Sequence, residues 1–135
     1  MGKYINLEDD VFSVFASNAW KAEKIPTYPT NFLITGNLKE FIRVSIIPSG
    51  VGVNRISVSG LVIIDIFAAA GESSKRNFLI ADTLDRHLVN RVFTTSDSGS
   101  TQFLGSTLSI VGFDKHNPSL FRASYSIPFN FFGVL

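Results

Sequence analysis

The sequence predicts an α+β fold, a mixed or antiparallel β-sheet with a main helix (about 72–92) on one face and a short N-terminal helix. Three stretches predict it. The first is Ile56-Ser57-Val58-Ser59-Gly60-Leu61-Val62-Ile63-Ile64-Asp65-Ile66-Phe67, whose second half is apolar on both faces except at Asp65. A strand wetted on one side would alternate, so this one is expected to be covered on both. The second runs from about Lys75 to Val92. There Ala81, Leu84, Leu88 and Val92 recur at helical spacing, flanked by Phe78 and Val89, and Asp82 with Arg86 forms an i,i+4 pair. The third is the end of the chain, Leu120 to about Phe132. Phe121, Ala123, Tyr125, Ile127, Phe129 and Phe131 alternate with Arg122, Ser124, Ser126 and Asn130.

The other elements fill in around these. Leu7 to Ala22 is the N-terminal helix, with Asp9 or Asp10 as its cap and Val11, Phe12, Val14, Phe15 and Ala19 on its apolar side. Pro26 and Pro29 push their predecessors towards extended backbone, so Lys24 to Thr30 reads as an arm crossing the surface. Asn31–Thr35 and Glu40–Ile47 are strands around a turn at Gly36-Asn37. Pro48 to Asn54, with two glycines, is a mobile loop. Ala68 to Gly71 leads from the long strand to Glu72-Ser73-Ser74, which supply a helix cap. Thr94 to Thr101 is small and polar and reads as a linker or protruding loop. Phe103 to Phe113 is a strand, Asp114 to Ser119 turns it round, and Pro128 argues for an edge or a bulge in the last strand. No internal repeat is visible, and the chain reads as one domain over 1–135.

Composition narrows the function classes. Twelve Lys and Arg face eleven Asp and Glu, a net charge of +1. That gives no electrostatic case for nucleic-acid wrapping or a polybasic membrane contact. Charged residues are 17% of the chain, against about 25% in an average soluble domain. With thirteen Phe, this favours either an oligomer or an aromatic-rich core. The absence of Cys excludes disulfides, Cys-ligated zinc and thiol catalysis. No signal peptide is read at Met1-Gly2-Lys3-Tyr4-Ile5-Asn6, and Asn6 argues against myristoylation at Gly2. Leu61–Ala70 is too short to span a bilayer.

Catalytic patterns are scarce. His87 reads as a solvent-facing helix residue and His116 as an ordinary turn residue, neither with a second ligand at metal spacing. Glu8-Asp9-Asp10 is explained by helix capping. Asp65 is expected to pair with Arg43 or Arg122, or to lie exposed at an edge. Gly50-Val51-Gly52 lacks the rest of a dinucleotide fingerprint. Neither a phosphate loop nor a nucleophile elbow occurs. No cofactor is expected.

One family pattern does emerge. It comprises Phe41-Ile42-Arg43-Val44-Ser45-Ile46-Ile47-Pro48, Gly60-Leu61-Val62-Ile63-Ile64-Asp65-Ile66-Phe67, Gly71, Arg76-Asn77-Phe78-Leu79-Ile80-Ala81-Asp82-Thr83-Leu84 and Val92-Phe93. Trp20, Ile25 to Phe32, Gly105 and the closing run Phe121 to Phe131 extend it over most of the chain. This resembles the tail terminator proteins of long-tailed, siphovirus-type bacteriophages. It is a pattern of spacing and residue type, and small head–tail joining and tail-completion proteins share the general architecture.

The resemblance implies a structural virion protein and no enzymatic activity. Such proteins form a hexameric ring on the last ring of the tail tube, end tail polymerisation and offer the surface that docks the head. The implied partners are copies of itself, the tail tube protein and the head completion or connector protein, with no membrane and no sequence-specific nucleic acid. The implied location is the head-proximal end of the virion tail, and the host cytoplasm during assembly. The loops at 48–54 and 94–102 and the arm at 24–30 become candidate contacts. Tyr28, Arg43, Val51, Asn54, Arg55, Asp97, Ser98, Gln102, Lys115 and Arg122 are the expected interface residues.

Competing readings make different predictions. A tail tube or neck subunit would polymerise beyond one ring. A small-ligand or nucleic-acid-binding domain would use exposed aromatics such as Phe41 or Phe132, but stacking platforms come with a basic groove. An enzyme would need an acid–base or nucleophile set that these residues do not assemble.

Overall fold

In a computed structural model, which describes residues 2–32, 39–71, 74–97 and 99–134, the chain forms a seven-stranded sheet with helices on one face. The elements in order are α1 (Lys3–Ala16), α2 (Asn18–Lys21), β1 (Thr27–Pro29), β2 (Phe41–Val51), β3 (Val58–Ala69), α3 (Lys75–Leu88), β4 (Val92–Ser96), β5 (Gly99–Phe103), β6 (Thr107–Phe113) and β7 (Leu120–Gly133). The sheet runs β1-β2-β3-β7-β5-β4, and β6 also pairs with β7. Only β1 and β2 are parallel; the other neighbours are antiparallel. The expected α+β class with a mixed sheet and a main helix on one face is what the chain adopts.

One core lies between the helices and the sheet. Leu7, Val11, Val14 and Phe15 of α1 and Ile80, Leu84 and Leu88 of α3 meet Ile42, Val44, Val62, Ile64, Ile66, Tyr125 and Ile127. The period-2 pattern of β7 holds as read: Ala123, Tyr125, Ile127, Phe129 and Phe131 are all buried. β7 is nevertheless a central strand. Pro128 fits there because β7 changes partner at this point, from β5 (Phe103 opposite Phe129) to β6 (Thr107 opposite Ser126). Its carbonyl accepts from Leu104 N at 3.0 Å, so its missing N–H faces the gap between the two strands, where no ladder bond is lost.

Several boundaries differ from expectation. The first helix starts at Lys3, and Ser17 divides it from α2. The Ser17 hydroxyl donates to Val14 O at 2.6 Å and accepts from Trp20 N at 3.2 Å, closing one helix and opening the next. Asp9 and Asp10 are therefore not caps; they lie inside α1. The arm at 24–30 contains β1, an edge strand aligned with Ile42–Val44. It is fastened by Trp20 Nε1, which donates to Thr27 Oγ1 at 2.9 Å. The loop at 48–54 is shorter than read, because β2 continues past a bulge between Ile47 and Gly50. At this bulge β2 passes directly over Gly60: a Cβ there would lie 2.0 Å from Ile47 O, so only glycine fits.

The polar stretch 94–101 is a β-hairpin of β4 and β5, not a linker. Its small hydroxyl residues are held from the core side. Asp10, fully buried on α1, accepts from Thr95 N at 2.9 Å, Thr95 Oγ1 at 2.6 Å and Thr101 Oγ1 at 2.8 Å. In α3 the buried face is Asn77, Ile80, Ala81, Leu84 and Leu88; Phe78 and Val92 are exposed. Asn77 Nδ2 donates to Ile66 O and Phe121 O, tying the start of the helix to two strands. Gly71, at φ +92°, makes the reversal out of β3. Ser74 stands at the N-cap without a side-chain bond. Glu72, Ser73 and the turn at Gly36-Asn37 lie outside the described residues, as does most of the strand read at 31–35. Asn31 and Phe32 are not in a strand.

Candidate assembly surface

The face of the sheet opposite the helices carries the feature that the sequence pattern left unresolved. β3 is apolar on both sides, yet among the described residues no helix covers its second side. The strand registers give that face row by row. Phe41, Phe67 and Arg122 form the first row; Tyr28, Arg43, Asp65, Ser124 and Ser109 the next. Ser45, Ile63, Ser126 and Thr107 follow, then Ile47, Leu61 and Pro128, then Ser59, Asn130 and Gln102, and finally Phe132 with Ser100. Ile47, Leu61 and Phe132 are between 36% and 39% exposed, more than a monomer core would leave. Small Ser and Thr side chains surround them, and Asp65 with the two arginines are the only charges in these rows. The low charge and the apolar side chains at its centre are features shared with contact surfaces, while its many serines are not.

The first two rows form an aromatic and ionic end. Phe41 and Phe67 stack at 4.5 Å, Tyr28 meets Phe41 edge-on at 6.2 Å, and Phe32 stacks on Tyr28 at 5.3 Å. The Arg122 guanidinium lies 5.8 Å from the Phe67 ring and donates to Asp65 Oδ1 from Nη2 at 2.9 Å. Of the two expected partners, Asp65 thus takes Arg122. Arg43 faces Asp65 across the ladder, but its Nε is buried without an acceptor.

The expected interface residues separate into two groups. Tyr28, Arg43 and Arg122 come together at the aromatic end, and exposed Lys115 follows β6 at the same end of the sheet. Val51, 96% exposed, lies at the opposite end with Asn54, Arg55 and Asp97. There Asn54 Oδ1 accepts from Ile56 N and Ser57 Oγ, and Arg55 O accepts from Lys3 Nζ at 3.0 Å. Gln102 sits between, on the open face beside Asn130. Ser98 lies outside the described residues. The sequence reading missed Ile47 and Leu61, and offered Phe132 only as an exposed aromatic for a ligand-binding domain. The signal was available in β3, where Leu61, Ile63 and Phe67 share the parity of Asp65.

Two part-buried polar groupings elsewhere are structural. Asp85 accepts from Tyr125 OH at 2.7 Å and from Ser106 Oγ at 2.6 Å, joining α3 to β7 and to the β5–β6 connection. Burial, reinforced by the bond to Asp85, raises the Tyr125 phenol well above its ordinary pKa, so it serves as a fixed donor. His87 is not solvent-facing: its Nε2 lies 3.1 Å from Glu23 Oε1, and its ring meets Trp20 edge-on at 5.2 Å. Arg86 reaches towards Glu23 at 3.8 Å rather than pairing with Asp82. Among the described residues no three His, Asp or Glu side chains gather as a metal site.

No protein-family model matches the chain, and no curated protein is similar to it. Among solved structures, a chain with a TM-score of 0.65 and 14% identity matches 98% of this chain and 94% of its own length. At that identity the likeness concerns the fold, which is shared over nearly the full length of both chains.

Proposed function

We propose that this chain is a structural protein of a bacteriophage virion, a tail terminator that closes into a ring on the end of the tail tube and receives the head. The open, charge-poor sheet face carries this reading. A subunit that leaves one side of a two-sided apolar strand bare has an interface waiting for another chain. The residue pattern running through β2, β3, α3 and β7 supports the same reading. So does the division of exposed segments between opposite ends of the sheet, since a terminator meets the tube on one side and the head connector on the other. The chain acts by binding, not by catalysis.

The test uses tail tubes from the phage that encodes the chain. Labelled protein should mark one end of each tube in electron micrographs, and tubes so marked should stop growing. Decoration along the whole tube, or long tubes formed by the chain itself, would instead make it a tube subunit. No binding to tubes at all would overturn the virion reading.

A further inference from the structure

We infer that the acidic stripe of α1 on one copy docks on the open sheet face of the next, and that Arg43 receives one of its carboxylates. The inference rests on the assembly reading above and specifies the contact. Arg43 is the starting point. Its guanidinium stands opposite Asp65, but Asp65 is already held by Arg122. The row therefore carries two cations and one anion, and the desolvated Nε of Arg43 lacks an acceptor. That Nε is closed off within the subunit, but the Nη groups of the same guanidinium are not, and a carboxylate from outside can pair with them.

The same chain offers that carboxylate. Tyr4, Ile5, Glu8 and Asp9 are all exposed. Their spacing places them on one stripe of α1, so two apolar side chains precede two acids. Asp10, next in sequence, turns inward to Thr95 and Thr101, which fixes Glu8 and Asp9 outward. The stripe matches its target in kind: apolar residues for Ile47 and Leu61, acids for Arg43. The exposed side of α3 fits less well, because Phe78, Leu79, Asp82 and Arg86 are mixed in charge. α1 and Arg43 lie on opposite faces of the sheet. A contact between them is head-to-tail, the kind that closes rings when the rotation allows. About four strand widths by five two-residue steps give the open face about 19 by 34 Å, on the order of 650 Å². Stable interfaces bury roughly 600–1,000 Å² per partner.

Charge exchange in the full-length chain tests this, read as solution mass by light scattering. Arg43→Glu should lower the mass towards the 14.8 kDa protomer, and so should Glu8→Lys with Asp9→Lys. The three changes combined should restore assembly, whereas Asp82→Lys combined with Arg43→Glu should not. Arg43→Gln, which puts no acid beside Asp65, should raise the dissociation concentration at least tenfold, and it decides the matter if Arg43→Glu fails to fold. Full assembly in folded Arg43→Glu or Arg43→Gln, failure of the combined exchange to restore mass, or rescue by Asp82→Lys would overturn the inference. So would a wild-type chain that stays monomeric at high concentration. These failures leave tube capping untouched, so they are distinguishable from failure of the virion reading.

Discussion

Single residues decide more here than their types suggest. Asp10 has the composition of a cap and the position of a keystone. One carboxylate serves three donors on a hairpin 85 residues away. Asp10→Ala leaves the buried Thr101 hydroxyl and the part-buried Thr95 donors without this acceptor, so it should lower stability by about 2–4 kcal/mol, measured as a drop in the urea midpoint. Tyr125 sets a limit at high pH. Its folded pKa is raised above the unfolded value of about 10. The stabilisation it provides is therefore complete below pH about 10 and declines as pH rises beyond it. Tyr125→Phe should flatten the alkaline fall in stability, at the cost of the Asp85 bond at neutral pH; thermal melts between pH 8 and 11 would reveal both.

At the scale of elements, the sequence was most legible where the pattern was local and long. The alternation of β7, the length of β3 and the helical spacing of α3 follow from neighbours within one element. The phase of α3 was less clear. Phe78 looks like a core residue, but Ile80 and Asn77 take the buried side. What stayed hidden was set by distant partners. Thr94 to Thr101 looks solvated because its donors answer to a carboxylate on α1. β1 looks like an arm because its pairing with β2 and its bond from Trp20 come from outside the segment. Of the candidate surface, Tyr28, Arg43 and Arg122 were named from the family pattern, the two arginines also as partners for Asp65. Phe132 was named as an exposed aromatic, but Ile47 and Leu61 were not, since apolar strand residues are ordinarily assigned to a core. The hairpin yields a sharp contrast. Removing residues 96–100 takes away the Gly99–Gly133 and Ser100–Phe132 pairs with β7 and the Ser96–Gly99 pair of the hairpin, and should lower thermal stability markedly. Asp97→Ala, at the exposed turn, should change stability by no more than about 0.5 kcal/mol, as thermal melts of the two variants would establish.

At the scale of the whole molecule, the sheet is half a sandwich. Helices fill one face, and the other holds a row of aliphatic side chains among serines with a surplus arginine at one end. The low charge of the sequence finds its place there. An isolated subunit leaves this face in water, and in the proposed assembly a neighbour covers it. In that proposal the acids of α1, on the back of the same subunit, are the complementary surface, which would give each copy a donor and an acceptor side. Contacts of this kind weaken with salt, and the assembly should lose mass as ionic strength rises from low to high.

The most direct test of this account is the solution mass of the purified chain over a concentration series at low salt. The account predicts one closed species near 89 kDa, six copies of the 14.8 kDa protomer, with no larger ladder above it. A mass that stays at 14.8 kDa across the series would contradict it.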